Sequence, residues 1–316
     1  MKYCFTIVSL LLVLNCSNKT MDIDFEALPD DVQTISLLGD SLETNSSMLP
    51  QTLAERLDSL IQLERSMDSE SDAIIWEARY LGYTGQYRRS VDLLSKRIKS
   101  DPENPALYRH RGHRYITLRA FDRAIKDLKK AAELIRGAED IVEQDGLPND
   151  LNKPTSTLHT NIWYHLGLAY YLTEQYEKAQ QAYVECINAS TNDDMLTAAL
   201  YWYYMSLRRD GQDEFAGKIL EPIEAEMDII ENDSYHKLLL VFKGQFNPDM
   251  ILDSESDALS NATIGYGIGN WHYINGRTDR ANEIWQEVYD AGNWASFGFI
   301  ASEADLFRLD KKVSDR

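Results

Sequence analysis

The residue types best suited to chemistry are the histidines and arginines clustered at Arg109, His110, Arg111, His113 and Arg114. Side chains three residues apart share one face of a helix, so His110 and His113 could together bind a metal ion or exchange protons. The neighbouring guanidinium groups oppose a bound cation, and the sequence fixes no nucleophile or carboxylate beside the imidazoles. The chemistry that this cluster favours is therefore recognition of an anionic group, without a metal.

The cluster belongs to a basic segment of an acidic chain. Over 316 residues the acids outnumber the bases 51 to 32, which gives a formal net charge of −19 and argues against a nucleic-acid-binding protein. Residues 79–136 nevertheless hold 15 basic and 6 acidic residues, a net charge of +9 against −28 for the rest of the chain. This segment is either an anion-binding surface or a solvated helical face.

Small and large apolar residues recur with a period of 34 residues. The first copy has Ala78, Leu81, Tyr87, Ser90 and Leu94; the second has Gly112, Tyr115, Phe121, Ala124 and Leu128; the third has Trp163, Leu166, Gly167, Tyr170, Tyr176, Ala179 and Tyr183. Small residues suit the crossing of two helices, and large residues fill the gaps around it. The pattern resembles the tetratricopeptide repeat, a helix–turn–helix unit of 34 residues.

This resemblance implies an all-α fold, a right-handed α–α superhelix of about five helical hairpins within residues 51–312. The repeats are expected near residues 71–104, 105–138, 160–193, 197–230 and 262–295, with capping helices near 51–65 and 294–309. Insertions at 137–157 and about 232–262 interrupt the array, and the second is expected to contain a short extra helix. Long insertions in a compact array are often functional.

In the family, the first helix of each repeat lines a concave groove. The resemblance therefore places Arg79, Tyr83, Arg109, His113, Tyr164, Leu168 and Tyr171 on the groove wall, flanked by His110 and His165. Arginine and histidine beside tyrosine suit an acidic peptide, a carboxylate terminus or an acidic glycan. Most positions of the family's two-carboxylate clamp hold other residues here, including Ile75 and His110, so that specificity is not carried over. Arg111 is expected to pair with Glu77 of the preceding repeat.

These observations favour a non-catalytic adaptor that binds an acidic protein or peptide partner. Two alternatives stay open: a carbohydrate or cell-wall binder that stacks sugars on Tyr164 and Tyr171, and an enzyme that uses the His–Arg cluster. No cofactor is expected, because the glycines at 265–269 follow no strand. The S-x-x-K match at 234–237 lacks the partner motifs of penicillin-binding enzymes.

The amino terminus predicts export. Residues 1–15 have one Lys before an apolar stretch, as in a secretory signal. The end of this stretch resembles a bacterial lipobox, with Asn15 in place of the usual small residue before Cys16. Cys16 would then carry the lipid that anchors the protein to the periplasmic or outer side of a bacterial membrane, the alternative being a secreted protein cut nearby. Residues 16–50 are polar and acidic, and are expected to form a flexible tether.

Overall fold

The computed structural model describes residues 23–44, 69–145, 149–254 and 261–314. The signal segment, Cys16 and the helix expected near residues 51–65 lie outside these ranges. The described residues are mostly helical, as predicted, and hold one short two-stranded sheet. None of the described helices is both long enough and apolar enough to cross a lipid bilayer.

Among the described residues, five helical hairpins form the array. The hairpins are α1 (Glu70–Tyr83) with α2 (Tyr87–Ser100), α3 (Pro105–Thr117) with α4 (Phe121–Leu134), α5 (Leu158–Leu172) with α6 (Tyr176–Ala189), α7 (Asp193–Arg209) with α8 (Asp213–Ile219), and α11 (Ala262–Ile274) with α12 (Thr278–Asp290). The second insertion contains two short helices, α9 (Asp233–Phe242) and α10 (Pro248–Ser254), and α13 (Phe297–Ser314) ends the chain.

Local sequence sets where the first helix of each hairpin begins. Each begins after a residue whose side chain accepts a backbone N–H of the first turn, which satisfies a donor that the helix itself leaves unpaired. These N-caps are Ser69, Asn104, Thr157, Asn192 and Asn261. Pro105, directly after its cap, has the fixed φ that a first helical residue needs.

The small residues of the 34-residue pattern lie where paired helices touch. A Cβ on Gly167 would stand 2.7 Å from the ring of Tyr183, and one on Gly112 would stand 2.7 Å from Leu128. Gly269 meets Trp285 in the same way. Such distances exclude any side chain, so the glycines allow the large residue of the second helix to pack directly on the first helix.

Residues 23–44 differ from the flexible tether expected over 16–50. Val32–Ile35 (β1) pairs antiparallel with Ser41–Glu43 (β2), and Val32 and Leu42 are buried. The Thr34 hydroxyl donates to the Leu118 carbonyl at 2.7 Å, and the Trp294 indole donates to the Glu43 carbonyl at 3.2 Å. A few buried apolar side chains and these bonds order a segment whose average composition is polar. The hairpin thereby joins the second repeat to the segment before α13.

The last helix, α13, also joins distant repeats. Arg119, in the turn between α3 and α4, contacts Glu303 at 2.5 Å, and both side chains are fully buried. Arg209, at the end of α7, contacts Asp305 at 2.7 Å. Glu303 also accepts the backbone N–H of Leu37 at 2.6 Å. The array is therefore closed by α13 and the N-terminal β-hairpin rather than left open.

Replacing Arg119 by Met should lower the free energy of unfolding by about 3–5 kcal/mol, because Glu303 would be left as an unpaired buried charge. The double variant Arg119→Met, Glu303→Gln should recover part of this loss. Urea unfolding of the four proteins in the cycle measures both effects. Strictly additive losses would show that the two side chains do not stabilise each other.

Candidate anion-binding groove

The predicted basic residues lie on α1, α3 and α5, and residues 143–145 of the insertion lie against them. Glu143 of this insertion lies against Arg109, with Nε and Oε2 3.1 Å apart, and against His110, with Nε2 and Oε1 3.0 Å apart. The Asn161 amide donates to Oε2 of Glu143 at 2.6 Å. Residues from the second repeat, the insertion and the third repeat thus surround one carboxylate.

Arg79, on α1, holds the next part of the same insertion. Its Nη1 donates to the Gln144 carbonyl at 2.7 Å, and its Nη2 lies 3.6 Å from Oδ1 of Asp145. The guanidinium stands over the Trp76 ring at 4.4 Å and donates to the Tyr83 hydroxyl at 3.3 Å. The first repeat therefore contributes a second contact to an acidic segment of the chain.

The insertion is held beside the start of α5 by one isolated antiparallel bridge, between Val142 and Thr157. The Glu143 N–H donates to the Ser156 carbonyl at 3.2 Å, and the Leu158 N–H donates to the Ile141 carbonyl at 2.9 Å. Asp140 accepts the His159 N–H at 3.1 Å, which caps the first turn of α5. These bonds point the Glu143 side chain into the groove, while Ile141 and Val142 are each 57% exposed.

The groove keeps Glu143 ionised and its histidines neutral. Burial opposes the charge of Glu143, but Arg109 and His110 outweigh it and hold the pKa of this carboxyl well below its usual range. Burial, reinforced by Arg109, lowers the pKa of His110 and of His165 to about 3. Burial and Arg114 also hold the pKa of His113 well below 6.5. The fixed positive charge therefore comes from the arginines.

Two of the three predicted wall tyrosines, Tyr164 and Tyr171, are buried in the protein, and Tyr83 is half-buried. Tyr164 is 7% exposed, and its hydroxyl lies 2.9 Å from that of Tyr235 and accepts the Trp202 indole N–H at 2.9 Å. Tyr171 is 1% exposed, and its hydroxyl lies 2.6 Å from that of Tyr266. Neither ring presents a face for stacking a sugar, so the geometry gives no support to the carbohydrate-binding alternative.

Of the other predicted wall residues, His165 and Leu168 are buried and His113 is half-buried. The rings of His113 and His165 lie 4.4 Å apart, and Phe297 of α13 packs 5.3 Å from His113 and 5.6 Å from His165. Leu168 is fully buried. Within the described ranges, no three His, Cys, Asp or Glu side chains converge as they would around a metal ion.

The pairing expected between Arg111 and Glu77 is wrong. Arg111 instead contacts Asp127 on the paired helix of its own hairpin, with Nε donating to Oδ2 at 2.6 Å and Nη2 donating to Oδ1 at 2.7 Å. Nη1 also donates to the Ser95 hydroxyl at 3.0 Å. Arg111 is thereby a structural residue that joins α3 to α4 and α2.

Glu143, Asp145 and Phe297 are the site residues that the sequence analysis does not identify. The composition of the insertion offers one indication, since residues 137–157 carry several acids next to the basic segment 79–136. That complementarity does not specify which carboxylate enters the groove. The position of Glu143 is determined by the isolated bridge between Val142 and Thr157 and by the backbone hydrogen bonds on either side of it.

The neutral histidines predict a loss of stability in mild acid. In the unfolded chain His110 and His165 bind protons below about pH 6.5, whereas in the fold they do so only near pH 3. Lowering the pH from 7 to 5 should therefore favour unfolding by about 1–2 kcal/mol per histidine. Glu143 adds little in this window, because its stabilisation is lost only as the pH falls below its ordinary pKa. Urea unfolding of His110→Gln and His165→Gln should show a shallower pH dependence, and an unchanged slope would contradict the burial of neutral imidazoles.

Comparison with known proteins supports the repeat assignment. Residues 160–193 match the tetratricopeptide repeat family profile. No curated protein is significantly similar to the chain.

Several solved structures are loosely similar. YrrB, described as a tetratricopeptide repeat protein with an unusual peptide-binding site, is 16% identical over 81% of this chain and 99% of its own, with a TM-score of 0.40. A putative kinesin light chain with nearly identical repeats, from Podosopora anserina, is 13% identical over 71% of this chain and 97% of its own, with a TM-score of 0.41. The apo quorum sensor NprR from B. thuringiensis is 16% identical over 77% of this chain and 82% of its own, with a TM-score of 0.36.

Residues 160–193 correspond to α5 and α6, and the same hairpin length and crossing recur in the second and fifth hairpins. The chain thus carries a tetratricopeptide repeat at residues 160–193, set within a solenoid of hairpins built on the same plan.

Proposed function

We propose that the protein is a non-catalytic adaptor that binds an acidic segment of another protein in its basic groove. The observation that carries this proposal is the position of Glu143, whose carboxylate is enclosed by Arg109, His110 and Asn161. Arg109 Nε lies at ion-pair distance from the carboxylate without a hydrogen bond, and the Asn161 amide donates the hydrogen bond. A buried guanidinium favours an anionic occupant of the groove. In this account the insertion is an internal occupant of the groove, and the partner replaces it.

The way the insertion is attached favours its release. It buries a carboxylate but leaves Ile141, Val142 and Leu151 exposed, at 57%, 57% and 69% of their surfaces. A segment that served only to complete the core would bury its aliphatic side chains first. The contacts that hold residues 141–145 in place are mainly ionic and backbone hydrogen bonds, which a peptide of similar chemistry can reproduce.

The internal occupant also sets how strongly a partner must bind. A tethered segment acts at an effective concentration on the order of millimolar, so a weak acidic peptide does not displace it. Binding then requires a partner with more contacts than the insertion makes, or a change that loosens the insertion. This competition would limit non-specific capture of acidic proteins.

The chain's own insertion supplies a probe for this groove. A synthetic peptide with the sequence of residues 139–145 is titrated into the full-length variant Glu143→Gln, Asp145→Asn, whose insertion no longer carries the two carboxylates. We expect this variant to bind the peptide at least about tenfold more tightly than the wild-type protein. Adding Arg109→Gln should abolish the binding, whereas adding Arg280→Gln, which alters an exposed pair with Glu283, should not.

The matched control peptide has Gln and Asn in place of its acids. Circular dichroism confirms that each variant is folded. Equal binding of the acidic and neutral peptides, or no binding by the folded variant, would contradict the proposed function.

We also propose that the protein is exported and anchored to a membrane by lipid on Cys16. The support is the sequence of residues 1–16 alone: a Lys, an apolar stretch and a Cys. A bacterial host that expresses the full chain should incorporate labelled fatty acid into the wild-type protein and not into Cys16→Ala. Cys186, buried in α6, serves as the control in Cys186→Ala, which should keep its label. Absence of label from the wild-type protein would favour the secreted alternative.

A further inference from the structure

The insertion shows what a segment that replaces it must present to the groove. Glu143 and Asp145 contact the groove through their side chains. The residues around these two acids have exposed side chains, namely Ile141, Val142 and Gln144. A replacing segment can therefore vary at the exposed positions, whereas the two acids, two residues apart, are the features that the groove contacts.

The two acids contribute unequally. The Glu143 side chain is 13% exposed, and its carboxylate lies 3.1 Å from Nε of Arg109 and accepts the Asn161 amide at 2.6 Å. The Asp145 side chain is 46% exposed, and its Oδ1 lies 3.6 Å from Nη2 of Arg79. An exposed ion pair is screened by water and stabilises weakly, whereas a buried charge depends strongly on its partner. The glutamate is therefore the main determinant, and the aspartate adds to it.

The main chain of the insertion is also bound. The Glu143 N–H donates to the Ser156 carbonyl at 3.2 Å, and the Leu158 N–H donates to the Ile141 carbonyl at 2.9 Å. Arg79 Nη1 donates at 2.7 Å to the carbonyl of the residue after Glu143. In a helix these main-chain groups are bonded to each other, so the three bonds require an extended segment. They set the register of the segment without selecting its side chains.

We propose that the groove recognises an extended internal segment with the pattern Glu-x-Asp. Its main chain pairs with residues 156–158, its glutamate lies against Arg109, and its aspartate lies beside Arg79. The insertion makes these contacts in the middle of the chain, so the partner needs no free carboxyl terminus. This inference rests on the proposed function and specifies the partner's recognition element.

Three short peptides test the order of the two acids. The parent has the sequence of residues 141–145, Ile-Val-Glu-Gln-Asp, and is acetylated and amidated so that its only charges are the two side chains. NMR titration into the full-length variant Glu143→Gln, Asp145→Asn measures its affinity. We expect the peptide with Gln in place of Glu to bind at least about tenfold more weakly, and the peptide with Asn in place of Asp about two- to fivefold more weakly. These two peptides have the same net charge.

An isomer of the parent tests the spacing. In Ile-Val-Glu-Asp-Gln the last two residues are exchanged, so composition and net charge are unchanged and the aspartate is moved away from Arg79. We expect the isomer to bind about two- to fivefold more weakly than the parent. The two peptides should bind equally once Arg79→Gln is added to the variant, whose fold is checked by circular dichroism.

A methylated peptide tests the main-chain contact. N-methylation of the Glu residue removes the N–H that the Ser156 carbonyl accepts, and we expect about fivefold weaker binding. The matched control has Ala in place of Gln at the exposed position and should bind like the parent.

The recognition pattern and the proposed function fail in different ways. Equal binding of the parent, the isomer and the methylated peptide, with no binding of a neutral peptide, would overturn the Glu-x-Asp pattern and leave an acidic partner in the groove. A failure of every acidic peptide to bind the folded variant would overturn both.

Discussion

Buried charges must be paired, and this constraint explains how the accessory segments of the protein are attached to its solenoid. The repeats supply the arginines Arg109, Arg119 and Arg209, and segments outside the repeats supply the carboxylates Glu143, Glu303 and Asp305. Apolar packing builds the hairpins, as the contact between Gly167 and Tyr183 illustrates. Ion pairs then decide where the insertion and α13 lie against them.

The carboxylates that attach α13 are more deeply buried than the carboxylate that attaches the insertion. Glu303 is fully buried, Asp305 is 3% exposed, and the Tyr266 hydroxyl donates to Asp305 at 3.0 Å. This makes α13 an integral part of the fold. The Glu143 side chain is 13% exposed, and the residues before it leave their aliphatic surfaces in solvent. In the proposed function the insertion is the segment that exchanges with a partner, because releasing it costs less free energy than releasing α13.

Sequence reasoning succeeds where the physics is local. A small residue on one helix and a large residue on the paired helix determine where the two helices of a hairpin cross. The contact between Gly112 and Leu128 can therefore be predicted from their spacing in the sequence. Sequence reasoning fails where the contact is distant or depends on strand register. Arg111 could pair with Asp127 on the paired helix or with Glu77 in the preceding repeat. The sequence does not show which of the two carboxylates lies closer, and in the structure it is Asp127. Residues 23–44 are likewise ordered by hydrogen bonds to the Leu118 carbonyl and from the Trp294 indole. Both partners are distant in sequence, so the composition of the segment does not predict these bonds.

We propose that the Glu143 carboxylate, rather than apolar burial, holds the insertion in the groove. Hydrogen exchange of the backbone amides of Glu143 and Leu158, which pair the insertion to the start of α5, measures this directly. We expect Glu143→Gln to accelerate exchange at these two amides by at least about tenfold, with no change in the amides of α13. Unchanged protection at Glu143 and Leu158 in the variant would contradict it, because the insertion would then be held by something other than its carboxylate.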